Sequence, residues 1–372
     1  MDVFIYGTLC HLPLLQVVLG HAVQAKPAQL AGHRAFWAKE RPFPILMPDD
    51  AAMTSGMLLR GMTAGDIARL NFYEAAFACD ACDVMVAADG PVRARVYLPR
   101  AGHWHAGPPW DLALWRDQWG AIVTSAARDV MALFGQVDPQ AVLARYPMML
   151  VRAASRQRAA AGGPTTLRHA MHPGDVAVSA RATPYARFFA VEEYDLQFRR
   201  FDGTLSPQVN RAVFIGGDAV TVLPYDPVRD VVLLIEQFRP GPFVRGDAQP
   251  WSLEAIAGRI DPGETPEGAA RREALEEAGL TLGSLEYVCT YYPSPAAKSE
   301  CLYSYIALTD LPEGIAGVFG LAGEAEDIRG HRLSFGRFEA LLASGEINNA
   351  PLILTGLWLQ RERARLRATI TP

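Results

Sequence analysis

The sequence predicts a two-domain chain, one half of α+β type and the other α/β. Three observations carry this. The chain has 372 residues, more than one core usually organises, since domains run to about 100–200 residues. Its composition is 50% hydrophobic and 20% charged, the balance of a chain that buries real cores. Strand-like and helix-like stretches lie on both sides of a compositional break: Arg152 to Pro173 is rich in basic and small residues, carries Gly162-Gly163-Pro164 and lacks apolar periodicity. The division that follows is 1–150 for a first domain, 151–184 for a linker and 185–372 for a second domain, with no internal repeat.

The elements follow in order. Asp2 to Tyr6 is an apolar run that enters the turn-like Gly7-Thr8-Leu9, a strand leading into a loop. Met57-Leu58-Leu59 and Arg93 to Leu98 read as further strands, and Ala64 to Tyr73 as a helix with Ile67, Leu70 and Tyr73 on one face. Leu112, Trp115, Trp119, Ile122 and Val123 fit one side of a long helix from Trp110 to Phe134, with a shorter helix to about Met149. Beyond the break, strands are expected at Phe188–Val191, Tyr194–Phe201, Ala219–Leu223, Val231–Ile235 and Tyr303–Leu308, and two helices close the chain.

Charge and cysteine use narrow the function. The 35 basic and 40 acidic side chains leave a net charge of −5, which argues against a general nucleic-acid binder. Only Lys26, Lys39 and Lys298 are lysines; so uniform a preference for arginine reflects genome composition better than any site. Five scattered cysteines form no disulfide framework and suit a reducing cytoplasm. The start, MDVFIYGTLC, has no basic region or long apolar stretch of a signal peptide, and no run reaches the roughly 18–20 apolar residues of a membrane span. Cys79-Asp80-Ala81-Cys82 reads as two partly buried thiols rather than half of a zinc site, which needs four ligands. The pairs His103 and His105, and His169 and His172, carry no stronger metal signal.

The most informative stretch is Gly258 to Leu280, GRIDPGETPEGAARREALEEAGL. Thr265 suits an N-cap, Pro266 the first helical position and Gly279 a C-terminal stop, so a helix between them is well delimited. Glu273, Glu276 and Glu277 lie at i, i+3 and i+4 and project from one side of it. Three carboxylates so close repel one another, and Glu264 in the preceding loop can join them. A hard divalent cation, Mg²⁺ or Mn²⁺, wants such oxygens. A solvated acidic helix face accounts for the spacing equally well.

The same residues resemble the Nudix box, G-x5-E-x7-R-E-U-x-E-E-x-G-U, where U is bulky and aliphatic. Gly258, Glu264, Arg272, Glu273, Glu276, Glu277, Gly279 and Leu280 fall on it, with Ala274 a mild departure. FFAVEEYD from Phe188, PYDPVRDVVLLIEQFR from Pro224, WSLEAIA from Trp251, and Pro295 placed 15 residues past Leu280 resemble the ADP-ribose pyrophosphatase branch, as does GLAGEAEDIR from Gly320. Ala296-Ala297 stand where that branch often has glycines. The resemblance implies an α/β/α sandwich from about Tyr185 onward. It implies Mg²⁺, or Mn²⁺, held by Glu273, Glu277, Glu326 and the Ala257 carbonyl, with Glu276 supporting. It further implies Arg272 as the clamp on the glutamates, Glu324 as orienter or base for water, Arg239 as a diphosphate contact and Pro295 as part of the substrate loop. Which of Glu324 and Glu326 is the base stays open. Nudix enzymes of this branch are homodimers whose N-terminal strands help to build the partner's site, so a dimer through the second half is expected.

The first half resembles γ-glutamylcyclotransferase-like (AIG2-like) domains, which are mixed β-barrels with helices. Tyr6-Gly7-Thr8-Leu9 matches their substrate-receiving loop, and Leu70 to Ala75 (LNFYEA) their L-D-x-[FY]-E-G stretch, whose glutamate is the general acid/base; Glu74 is the matching residue. Asn71 and Ala75 replace the usual Asp and Gly. The two halves together resemble the TrgB-type proteins linked to tellurite resistance, a phenotype for which no residue here suggests chemistry. The implied function is Mg²⁺-dependent hydrolysis of ADP-ribose, or a related nucleoside diphosphate sugar, to AMP and ribose 5-phosphate. The first domain is then a γ-glutamylamine cyclotransferase or a substrate-binding module. A nucleotide-binding regulator without turnover and a protein whose main activity is the cyclotransferase are the alternatives. No nucleic-acid or membrane partner is expected.

Overall fold

In the first half, inward-facing apolar residues on alternate strand positions curl one sheet until it closes. The computed structural model describes residues 1–320, 323 and 326–368. They fall into two compact units, Met1–Thr166 and Leu167–Pro372. In the first unit the strand order is Pro44–Leu59, Val3–Ile5, Pro91–Pro99, Cys79–Ala87, Ala25–Ala38 and Ala106–Pro109. Ala25–Ala38 also pairs antiparallel with Pro44–Leu59, which closes the barrel. Phe4, Leu30, Leu46, Leu58, Val86 and Val96 fill one core. A second core lies where Leu12–Leu19, Ala64–Ala75, Ala121–Met131 and Tyr146–Ala160 cover the barrel, with Trp115 fully buried among them. The helix Ala64–Ala75 starts on a capping box: Asp66 N–H donates to Thr63 Oγ1, and the Thr63 N–H donates back to the Asp66 carboxylate.

One expectation is refined and one changes. The helix expected from Trp110 to Phe134 runs unbroken from Leu112 to Met131, with a π-type turn at Arg116–Gly120 between Leu112–Trp115 and Ala121–Met131. A wider turn of this kind shifts the phase of the residues that follow it. The expected linker, 151–184, is regular at both ends. Tyr146–Ala160 is one helix that buries Val151, Arg152, Ala153 and Ala154, and Val176–Ala186 is a strand. Alanine-faced packing has none of the large apolar residues by which periodicity is recognised.

The second unit is an α/β/α sandwich. Its main sheet runs Ser284–Tyr291, Leu302–Leu308, Ala219–Asp226, Val231–Phe238, Ile328–Ser334 and Val318–Phe319, with Trp251–Glu254 and Ile256–Arg259 attached to the central strands. Ala219–Asp226 and Leu302–Leu308 are parallel. Along Val231–Phe238 the side chains alternate between two cores. Leu233 and Ile235 meet Ala269, Ala270, Ala274 and Ala278 of the helix Pro266–Ala278. Val232 and Leu234 meet Phe335, Phe338, Leu352 and Leu359 of the two C-terminal helices. Small alanines let the acidic helix sit close to the sheet. A separate antiparallel sheet, Val176–Ala186, Ala190–Phe198 and Val209–Ile215, precedes the sandwich; its first strand lies almost wholly exposed. Among the described residues no helix is long and apolar enough to cross a membrane.

Candidate active sites

The acidic helix forms as its caps dictate. Thr265 Oγ1 accepts from the Gly268 N–H at the start, and Gly279 ends the helix at φ 61°, where a glycine is favoured. Arg272 stands at the centre of the carboxylates. Its Nη1 donates to Glu273 Oε1 at 2.8 Å and Glu276 Oε2 at 3.0 Å, its Nη2 to Glu264 Oε2 at 3.0 Å and the Arg259 carbonyl at 2.9 Å. Glu277 is buried, and its Oε2 accepts from the Ala257 N–H at 3.0 Å. Gly258 explains the tightness of this corner: a Cβ there would lie 1.8 Å from Glu273 Oε1.

These groups border a cleft of about 610 Å³ that Ala257, Gly258, Arg272, Glu273, Glu276 and Glu326 share with Arg239. Burial first, then repulsion from neighbouring carboxylates that include Glu326, pushes Glu273 up to about 7 against the pull of Arg272. Burial raises Glu277 to about 8, with Glu273 and Glu326 adding to it. Among the described residues no three His, Cys, Asp or Glu side chains converge on one point as they stand, and Arg272 occupies oxygens of three of the glutamates. The donor set still fits a hard divalent cation: it is all oxygen, and the protons it retains are those a cation would displace.

Arg239 is clamped by Glu254, with Nε and Nη2 both on the carboxylate and the shortest contact 2.6 Å. It is both the strand-end ion pair that its position suggests and a wall of the cleft. Pro295, the expected substrate-loop residue, sits in the loop after Tyr291. It is exposed, and Pro293 lines the cleft instead. The Ala297 and Lys298 N–H groups both return to the Ser294 carbonyl, a tight turn with Pro295 inside it. Glu324 lies outside the described residues. Sequence reasoning missed Phe188, Phe189, Arg259, Lys298, Glu300 and Asn349 as cleft residues. Only the first two lie in a stretch that the sequence singles out without the box.

The first unit holds a smaller cavity, about 50 Å³, lined by Tyr6, Gly7, Thr8, Leu9 and Glu74 among others. A Cβ at Gly7 would lie 2.4 Å from Pro44 Cγ, so only glycine lets this loop pack there. Tyr6 donates to the Tyr97 carbonyl, and Tyr97 in turn to Asn71 Oδ1 at 2.8 Å. Asn71, at the position of the expected Asp, thus anchors the wall behind the loop. Burial alone pushes the Glu74 carboxyl up to about 8. Cys79 and Cys82 are free thiols three residues apart on one strand, facing opposite sides, so they form no metal or redox pair with each other.

Residues 217–352 match the family model described as NUDIX domain. ADP-ribose pyrophosphatase of Escherichia coli (strain K12) is 39% identical over 193 residues, which is 91% of that protein and 52% of this chain. The chain belongs to the Nudix hydrolase family. GDP-mannose pyrophosphatase of Yersinia pestis (strain Pestoides F) is 32% identical over 167 residues, 82% of that protein and 45% of this chain. A crystal structure described as an ADP compounds hydrolase aligns with 53% of this chain and all of its own at 23% identity and a TM-score of 0.42. In front of the Nudix half, residues 3–117 match the family model gamma-glutamyl cyclotransferase, AIG2-like.

Proposed function

We propose that the Nudix half hydrolyses the diphosphate of ADP-ribose, or of a related nucleoside diphosphate sugar, giving AMP and ribose 5-phosphate from ADP-ribose, with Mg²⁺ or Mn²⁺ as cofactor. The observation that carries this is the Arg272-centred set of Glu264, Glu273 and Glu276 beside buried Glu277, on a cleft large enough for a dinucleotide-sized ligand. Relatives named ADP-ribose and GDP-mannose pyrophosphatase support the substrate class. Glu273, Glu277, Glu326 and the Ala257 carbonyl are the groups that would hold the metal. Bound there, it would neutralise charge on the diphosphate and make a bound water more acidic. Arg272 keeps Glu273 and Glu276 aimed, Arg239 meets the diphosphate, and Phe188 and Phe189 offer flat apolar faces to the base. Glu324 or Glu326 takes the proton of the attacking water. A regulator without turnover has no need of so complete a carboxylate set.

We further propose a homodimer through Val176–Ile215, a segment that exposes Val178, Phe198 and Phe201, and a reducing, cytoplasmic setting that suits five scattered cysteines. The unit Met1–Thr166 supports a second activity, because Glu74 lines the cavity of the Tyr6–Leu9 loop with its carboxyl held protonated by burial, poised to give or take a proton near neutral pH. A γ-glutamylamine is the substrate class that the family match suggests. Incubating the full chain with a panel of nucleoside diphosphate sugars, with and without Mg²⁺, tests the main reading. Metal-dependent release of nucleoside monophosphate from ADP-ribose supports it, and none from any member of the panel refutes it.

A further inference from the structure

The Nudix cleft is bordered by a strip of aromatic rings with a cation at each end. At the box end, the Arg259 guanidinium lies 4.0 Å from the centre of the Phe188 ring. Phe188 packs on Phe189 at 4.7 Å, and Phe189 on Phe214 at 4.7 Å. At the far end, Lys298 Nζ lies 5.7 Å from the Phe214 ring. Phe188, Phe189, Arg259 and Lys298 all line the cleft.

Lys298 is a placed residue and not a loose surface lysine. The Phe214 N–H donates to the Ala297 carbonyl at 2.8 Å, the Ser299 N–H to the Phe214 carbonyl at 3.1 Å, and the Lys298 N–H to the Ser294 carbonyl at 2.9 Å. The backbone on both sides of Lys298 is therefore sewn to the strand Val209–Ile215. Its ammonium pairs with Glu300 Oε2 at 3.3 Å, and both side chains remain partly open to the cleft. Arg272 is held by three carboxylates of the box, and Arg239, braced by Glu254, faces the diphosphate, so neither is placed for a charge on the nucleotide half.

We propose that Lys298 is a specificity-determining residue that receives an anionic group on the nucleotide half of the substrate, so that the cleft favours an adenosine diphosphate derivative with a 2′-phosphate over one with a free 2′-hydroxyl. This rests on the aromatic strip taking the base, as in the proposed function. A 2′-phosphate lies beside the base, away from the scissile diphosphate, and a cation next to a base-stacking wall is placed to meet it. Dinucleotide sites elsewhere separate the two forms by the same chemistry, a carboxylate for the hydroxyl and a cation for the phosphate. Here both groups are present as one pair. Glu300 serves the hydroxyl, and Lys298 turns from Glu300 to the phosphate.

The test uses two ligands without a diphosphate to cleave, AMP and adenosine 2′,5′-bisphosphate, titrated calorimetrically into the full-length protein. Binding is thereby read apart from turnover, and ADP-ribose hydrolysis, measured in parallel, reports the proposed function by itself. The bisphosphate is expected to bind the wild type about fivefold more tightly, the scale of one half-exposed charge contact. Lys298→Met abolishes that ratio, Lys298→Arg retains it and Glu300→Gln widens it, since the competing carboxylate is gone. Thermal unfolding of each variant confirms that it is folded. Equal affinities in the wild type, a ratio that survives in Lys298→Met, or binding of neither ligand overturns the proposal.

Discussion

Gly258→Ala separates the two things the acidic corner does, which are to fold and to place a carboxylate. The added Cβ would stand 1.8 Å from Glu273 Oε1, 2.0 Å from its Cδ and 2.4 Å from Oε2. Even a 3.0 Å contact requires the carboxylate to retreat by about 1.2 Å. The obstacle is the end of a flexible side chain and Gly258 has no positive φ, so the backbone need not move. Stability should therefore fall little, by about 1 kcal/mol or less. Activity should fall far more. A displacement of about 1 Å in a positioning group costs about a hundredfold, or about 2.7 kcal/mol of barrier. The Arg272 contact to Glu273, now 2.8 Å, would have to be remade as well. The assay is initial-rate AMP release from ADP-ribose at saturating Mg²⁺, beside thermal unfolding of the same sample. A variant within about threefold of wild-type kcat would mean that Glu273 does not need its present place. A variant that is inactive because it is unfolded would refute the claim that only a side chain gives way.

Glu277→Gln keeps the size and the acceptor for the Ala257 N–H while removing the charge. It should slow hydrolysis by about a hundredfold or more and leave the unfolding temperature at about pH 8 unchanged or higher, as calorimetry would show. Glu74, raised to about 8 in the folded chain from 4.5, binds its proton more tightly folded than unfolded. Its contribution should be fully present below about pH 4.5 and be lost as pH rises through 8, by at most about 5 kcal/mol and less because the side chain keeps some exposure to its cavity. Hydrogen exchange in the helix Ala64–Ala75 measures this: Glu74→Gln should flatten the slope and leave ADP-ribose hydrolysis untouched. Light scattering at micromolar concentration should give twice the 40.5 kDa chain mass, and Phe198→Glu should shift it toward the monomer.

What is legible in the sequence is what short-range chemistry determines. The acidic helix can be read to its ends because Thr265, Pro266 and Gly279 act within one turn of their own positions. The sandwich strands Ala219–Asp226 and Val231–Phe238 announce themselves by runs of Val, Leu and Ile buried on both faces. Elements that long-range pairing creates are not readable. Val209–Ile215 and Val176–Ala186 carry mixed, largely exposed side chains, and only their register with Ala190–Phe198 makes them strands. The same holds for the cleft. Lys298 reaches it because its turn pairs with Phe214, which lies far earlier in the chain. Pro295 has the expected spacing, but spacing does not say which residue of a turn lines the cleft, and Pro293 does so. The helix Tyr146–Ala160 runs past its apparent end because Ala153 and Ala154 pack without looking apolar by size.

We propose the Arg272-organised carboxylates as the centre of a metal-dependent diphosphate hydrolase. The most direct test is to incubate the full chain with ADP-ribose and Mg²⁺ in ¹⁸O-labelled water and to resolve the products by mass spectrometry. AMP and ribose 5-phosphate are expected in equal amounts, one of them carrying a single label, with formation stopped by EDTA and restored by Mg²⁺ or Mn²⁺. Products that form equally well in EDTA, or intact ADP-ribose after prolonged incubation with either metal, would contradict the proposal.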